Sequence, residues 1–304
     1  MAAAMYALIC VIWGSTWVAI KVGLVGVPPF LAAGLRFLLA ALIVGVVLAA
    51  RRRPVSLTHN DKVCVLSMGL LLFWLDYAAV YWAEMRISSG LTAILFSTMP
   101  LITSLLSAYW TRSETLTGRK ATGILVGVCG TALLFWPHER LTLQQALGML
   151  AALGASLCAA INLVMIKKYG RHTDPFVLNF FGMMLGAACL LVMSAALEDW
   201  AAVAWSRSNV LALVYLAVFG SVIAFSAYYY LIKRMDATMV SLSTLIIPIV
   251  ALALGRAFLN ETVTLLALAG IATIVAGVAV AIMPGTRSRP SPVPTNSSRV
   301  AANS

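Results

Sequence analysis

The run FWLDYAAVYW, residues 73–82, sets one carboxylate, Asp76, among apolar and aromatic neighbours. An ionised carboxylate at the centre of a membrane helix costs at least ~2.5–3.5 kcal/mol. Such a group needs water, a proton or a cation beside it. On an α-helix, positions 67, 74, 77, 81 and 84 share one face, and here they are Ser67, Trp74, Tyr77, Tyr81 and Glu84, with Asp76 at the edge. As chemistry, this stripe is a solute-binding cavity wall, with flat rings for stacking or cation–π contact and hydroxyls for orientation. As packing, it is a helix interface with some interfacial aromatics. Glu84, at the outer end, is expected to be solvated.

Other polar residues fall inside apolar runs. Arg36 lies seven residues beyond Pro29, about 10 Å into its helix, and Asp76 lies eight residues before Glu84, about 12 Å from the same side. The matched depths predict that Asp76 and Arg36 are neighbours, paired directly or through water. They form either a static pair that joins two helices or a working pair that takes a proton or a substrate ammonium. Trp13 and Thr16 share a face and are candidates to line a cavity, as are Phe225 and Tyr228, and Ser241 and Thr244. Lys21 reads as a snorkelling anchor. Pro100 and Pro248 each free a carbonyl one turn earlier, as a hinge or as a fixed kink.

The elements that must position these residues are membrane helices. The chain has 304 residues, 62% hydrophobic and 10% charged, with a mean hydropathy of +0.97. A soluble chain is nearer one quarter charged. Charges, prolines and glycines cut the sequence into ten candidate helices: 3–24, 29–50, 61–83, 87–110, 118–136, 143–166, 174–196, 208–231, 237–258 and 263–283. The fold class expected is all-α integral membrane. Residues 284–304, rich in Pro, Ser and Arg, are expected to be a disordered cytoplasmic tail. The N-terminal run MAAAMYALIC has no basic flank and no cleavage pattern, so the first span is expected to be retained.

With both termini in the cytoplasm, fifteen Lys and Arg fall on that side and five on the other, as the positive-inside rule requires. The net charge of +11 is explained this way, without nucleic acid. The five cysteines sit in or beside apolar runs with no CxxC spacing, and the three histidines are far apart, so neither a disulfide framework nor a metal site is expected.

The chain repeats itself. Lys21 and Lys167 follow matching runs at an offset of 146. Tyr81, Arg86 and Pro100 match Tyr229, Arg234 and Pro248 at 148, and Glu114, Gly123 and Gly130 match Glu261, Gly270 and Gly277 at 147. The expected organisation is two five-helix repeats, 1–137 and 138–283. Five is odd, so the second repeat enters the membrane from the opposite side, an inverted topology found in transporters. In register, Asn162 takes the place of Thr16 and becomes a candidate site residue.

IWGSTWVAIKVGL (12–24), GLRFLLAAL (34–42) and the stretch 86–134 with its proline, acidic residue and glycines resemble the EamA-type transporters of the drug/metabolite transporter superfamily. The resemblance covers residues 3–283. It implies ten helices in an inverted 5+5 arrangement, a central cavity between the halves, and the fifth and tenth helices at the periphery. It further implies export or exchange of small metabolites such as amino acids, or of toxic compounds, across the bacterial inner membrane. Asp76 is not a residue that the family pattern demands.

No GxxxxGK[ST], HExxH, GxSxG or Cys–His arrangement occurs, so neither ATP hydrolysis nor an enzymatic centre is expected. The expectation is a secondary carrier for a small-molecule solute, without cofactor, embedded in the lipid bilayer as a monomer or homodimer. A multidrug exporter, an integral-membrane enzyme and a receptor are the alternatives.

Overall fold

The computed structural model describes residues 1–51, 57–112, 116–134, 142–170, 173–259 and 265–282. Glu114, Glu261, His138, His172, the 137/138 boundary and the 284–304 tail lie outside them. Among the described residues every element is helical. The helical segments are α1 (Ala2–Gly23), α2 (Pro29–Ala50), α3 (His59–Glu84), α4 (Ser89–Phe96), α5 (Met99–Tyr109) and α6 (Gly118–Leu134). They continue with α7 (Leu143–Tyr169), α8 (Pro175–Leu197), α9 (Arg207–Ile232), α10 (Ala237–Ser241), α11 (Ser243–Leu259) and α12 (Leu265–Ile282). Six of these, α1, α2, α3, α7, α8 and α9, are long and apolar enough to cross a membrane, and shorter apolar helices lie between and after them. Large apolar side chains such as Val46, Val192 and Leu265 face outward, as a lipid-facing surface allows. The protein is a multi-pass membrane protein.

Local chemistry sets the helix starts. Thr58 and Asp61 form a capping box at α3, with Thr58 N–H donating to the Asp61 carboxylate at 2.8 Å. Thr142 with Gln145 does the same for α7, and Ser206 with Asn209 for α9. α2 and α8 open on Pro29 and Pro175, where a missing N–H costs nothing. The free N–H groups of Phe30 and Leu31 donate to the two oxygens of Glu198, at 2.8 and 2.9 Å, from just beyond the far end of α8. These bonds fix α2 against α8.

Two features depart from regular α-helix. α3 runs in π-helical turns over Ser67–Asp76, and α9 does so over Leu216–Ile223. α4 and α5 are separated at Ser97–Thr98, and Pro100 stands in the first turn after the break. Pro248 lies inside α11.

The repeated residues occupy matching environments. Lys21 Nζ, at the end of α1, donates to the carbonyls of Glu84 and Ile87 at the end of α3. Lys167 Nζ, at the end of α7, donates to the carbonyls of Ile232 and Met235 at the end of α9. The Arg86 guanidinium stacks 3.4 Å from the Trp82 ring centroid, and that of Arg234 stacks 3.8 Å from the Tyr230 centroid. Lys21 is therefore more than a snorkelling anchor, because it satisfies carbonyls that the helix end leaves free. Lys167→Met is expected to destabilise the protein by about 1–2 kcal/mol through those orphaned carbonyls. Lys21→Met should do the same at the other end. Thermal unfolding in detergent measures both, and an unchanged midpoint in either variant would count against the capping role.

α6 and α12 pack backbone to backbone. A methyl built on Gly123 would stand 2.7 Å from the Gly277 carbonyl oxygen, and one on Gly130 would stand 2.9 Å from that of Gly270. Small residues permit this approach where lipid supplies no hydrophobic drive for helix association.

Candidate functional site

A cavity of about 80 Å³ lies among α1, α3, α4, α5, α7, α9, α10 and α11. Its walls come from equivalent positions of the two repeats. Tyr77 and Phe225, Val80 and Tyr228, Ala93 and Ser241, Phe96 and Thr244, and Met99 and Ile247 all line it, each pair 148 residues apart. Neither α6 nor α12 contributes a lining residue among those described. At ~10–15 Å³ for each enclosed water, the space admits several waters or a small polar solute head.

Trp13 is central to the aromatic wall. Its ring meets Phe225 edge-on at 5.4 Å between centroids and Tyr228 at 5.1 Å, and its indole N–H donates to the Gly220 carbonyl at 3.3 Å. The hydroxyls are committed in the same way. Thr16 donates to Trp13 O, Ser241 to Thr238 O, Ser243 to Val240 O and Thr244 to Ser241 O, at 2.7–2.8 Å. A hydroxyl that donates to a carbonyl keeps its oxygen lone pairs free to accept.

Asp76 is 2% exposed, lines the cavity, and leaves Oδ1 without a hydrogen-bond partner among the described residues. Arg36, 1% exposed, stands behind the wall. Its Nε donates to Ser221 Oγ at 3.0 Å, one terminal nitrogen to Tyr81 Oη at 3.3 Å and the other to Gly220 O at 3.2 Å. The guanidinium also lies over the rings of Phe37 and Tyr77, 5.0 and 4.9 Å from their centroids. A direct hydrogen-bonded pair of Asp76 and Arg36 is not formed, because Tyr81, Ser221 and Gly220 take the donors.

Of the residues singled out in sequence, Trp13, Thr16, Asp76, Tyr77, Phe225, Tyr228, Ser241 and Thr244 line one cavity. Trp74, Tyr81 and Asn162 are not among the lining. Trp74 is half-buried on the core, its indole nitrogen unpartnered among the described residues. The cause is the wide turn of α3. One extra residue per π-turn rotates the remainder of the helix by roughly 100° relative to the α-helical template, so the stripe that runs through Ser67 and Trp74 does not continue through Tyr77. Tyr81 is held by Arg36, and Asn162 accepts from Ser67 Oγ at 3.1 Å, inside the protein. Glu84, expected in solvent, is fully buried and accepts from Ser89 Oγ at 3.0 Å. Trp17, Phe96, Met99 and Ser243 line the cavity as well. Phe96 could have been found by carrying Thr244 back 148 residues; Met99 corresponds to Ile247, an apolar position that spacing did not single out.

Residues 1–136 and 146–283 each match the EamA-like transporter family. The chain is 29% identical to the uncharacterized transporter YoaV of Bacillus subtilis, over 89% of this chain and 92% of that one. It is 28% identical to a probable amino-acid metabolite efflux pump of Escherichia coli, over 89% and 91% respectively. A solved crystal structure, 22% identical, superposes with a TM-score of 0.75 over 92% of this chain and 96% of that one.

Proposed function

We propose that this chain, which belongs to the EamA-like transporter family, is a secondary carrier that moves small organic solutes across the cytoplasmic membrane by alternating access. The cavity between the repeats is its solute site. The observation that carries this reading is the lining: five pairs of equivalent positions from the two halves enclose one space. A site on the axis of an inverted repeat faces either side of the membrane when the halves rock. The proposed architecture is ten helices in an inverted 5+5 order, repeats 1–137 and 138–283, with both termini cytoplasmic. Pro100, after the α4–α5 break, and Pro248, inside α11, are the proposed hinges.

Amino acids and related metabolites are the solutes proposed first, in export, as the name of the Escherichia coli relative suggests. A multidrug exporter of the same fold is the alternative, and both act as monomer or homodimer. Counterflow in proteoliposomes tests the carrier, with labelled amino acids and amines in the screen. Trp13→Ala removes the ring that contacts Phe225 and Tyr228 and is expected to cut the counterflow rate at least tenfold, about 1.4 kcal/mol of solute binding. Undiminished counterflow in a well-folded Trp13→Ala protein would remove the cavity from the transport path.

A further inference from the structure

We propose that the cavity binds the cationic head of an organic ammonium, and that Asp76 exchanges a proton for it. This deepens the carrier reading and rests on it for the movement of the solute, while the binding claim stands separately.

Three observations converge. The first is charge. Asp76 is the one carboxylic acid in the lining, and among the described residues no Lys, Arg or His lines the cavity. The second is the donor supply. Five side-chain donors of the wall, on Trp13, Thr16, Ser241, Ser243 and Thr244, are already committed to backbone carbonyls. A solute carboxylate could take hydrogens only from the remaining N–H and O–H groups of the lining, those of Trp17, Tyr77 and Tyr228. The third is the aromatic surround. Trp13, Tyr77, Phe225 and Tyr228 stand about the carboxylate's cavity, and ring faces attract ammonium groups. The lining therefore favours an amine over its parent amino acid, because it offers the ammonium an acid and aromatic rings and offers the carboxylate no cation.

The groups that face Asp76 from neighbouring helices are Arg36 on α2, Cys158 on α7 and Tyr228 on α9, with Tyr77 on its own helix. Arg36 is held away by Tyr81, Ser221 and Gly220 O. In the proposed cycle the empty cavity holds Asp76 as the neutral acid, its Oδ1 without a hydrogen-bond partner among the described residues. When a monovalent ammonium enters, the Asp76 O–H bond breaks, the proton leaves to the water on the side of entry, and the carboxylate pairs with the cation. On the other side the cation departs and a proton returns. One cation crosses one way and one proton the other, with no net charge moved.

The test uses purified full-length protein and phenyltrimethylammonium, whose fixed charge prevents its own titration. Binding is followed by tryptophan fluorescence, and proton release by a pH indicator in weak buffer. The expected result is release of about one proton per bound cation, and at least tenfold weaker binding of phenylalanine than of phenyltrimethylammonium. Asp76→Asn should bind the cation at least tenfold more weakly and release no proton, while Asp76→Glu, which keeps the acid, should restore release. Binding without proton release, or an Asp76→Asn protein that binds as well as wild type, overturns the proposal. If Asp76→Asn does not fold, the Asp76→Glu and wild-type stoichiometries decide. Amino-acid counterflow without cation binding would sink this inference and leave the carrier standing. Cation binding with proton release but no counterflow of any solute would do the reverse.

Discussion

Arg36→Met is expected to lower the stability of the protein by about 2–4 kcal/mol, and Arg36→Lys is expected to lower it by at least as much. The fork of Arg36 supplies three bonds, to Ser221, Tyr81 and Gly220 O, and its face contacts two rings. Bonds from a charged donor contribute about 1.5–3 kcal/mol each, and each cation–π contact adds about 0.5–2 kcal/mol. Against this gross gain of about 5–13 kcal/mol stands the several kcal/mol that a buried cation costs. Met removes both sides of that balance and takes a donor from three oxygens, of which Gly220 O keeps the Trp13 N–H and Ser221 Oγ keeps its bond to Leu216 O. Lys keeps the buried charge, yet a single ammonium lacks the planar fork that reaches all three acceptors. The outcome of interest is therefore the order of the two variants. Unfolding midpoints in detergent measure it, and a Lys variant as stable as wild type would show that charge alone suffices at this position. Because Gly220 and Ser221 belong to α9 while Arg36 and Tyr81 belong to α2 and α3, the loss would also loosen α9 from α2 and α3.

Gly130→Leu should be at least as damaging, by about 3 kcal/mol or more, because the obstacle is backbone. A Cβ there would come within 2.7 Å of Ile274 N and 2.9 Å of Gly270 O, and neither can rotate away. The helices must separate, and contact along α6 and α12 is lost with them. Gly154 is the control. Nothing lies within 4 Å of the Cβ it lacks, so Gly154→Ala should be neutral or stabilise α7 by up to about 1 kcal/mol. Folded yield and unfolding midpoint of the two variants test the contrast. A Gly130→Leu protein with the yield and midpoint of wild type would show that the α6–α12 contact contributes little.

Much of the cavity was legible because two independent periodicities agree at its walls. Tyr77, Phe225 and Tyr228 were found from helical spacing, and Ser241 and Thr244 from small hydroxyls on one face. The repeat would have supplied Phe96 from Thr244, whereas Met99 and Ile247 are an apolar pair that spacing did not single out. Trp74 misled because a sequence carries no mark of a π-turn; regular spacing was the only phase available. Arg36 was read from its apolar surroundings as a buried cation, but its partners are acceptors that α9 brings to it, 184 and 185 residues away. Burial of Glu84 comes from the way that the loop after α3 folds back, with Ser89 over the carboxylate, which hydropathy alone does not encode.

The wide turns of α3 and α9 bear on how the proposed repeat arose. They begin at Ser67 and Leu216, 149 residues apart, in helices that occupy the same place in their repeats. An extra residue lodged in a helix is a small defect that later changes rarely reproduce at the same depth by chance. On the proposed two-repeat organisation, a single ancestral half-protein already carried the wide turn, and copying the half copied the defect. A search for surviving descendants of that half should therefore look for short membrane proteins whose third helix is one residue too long.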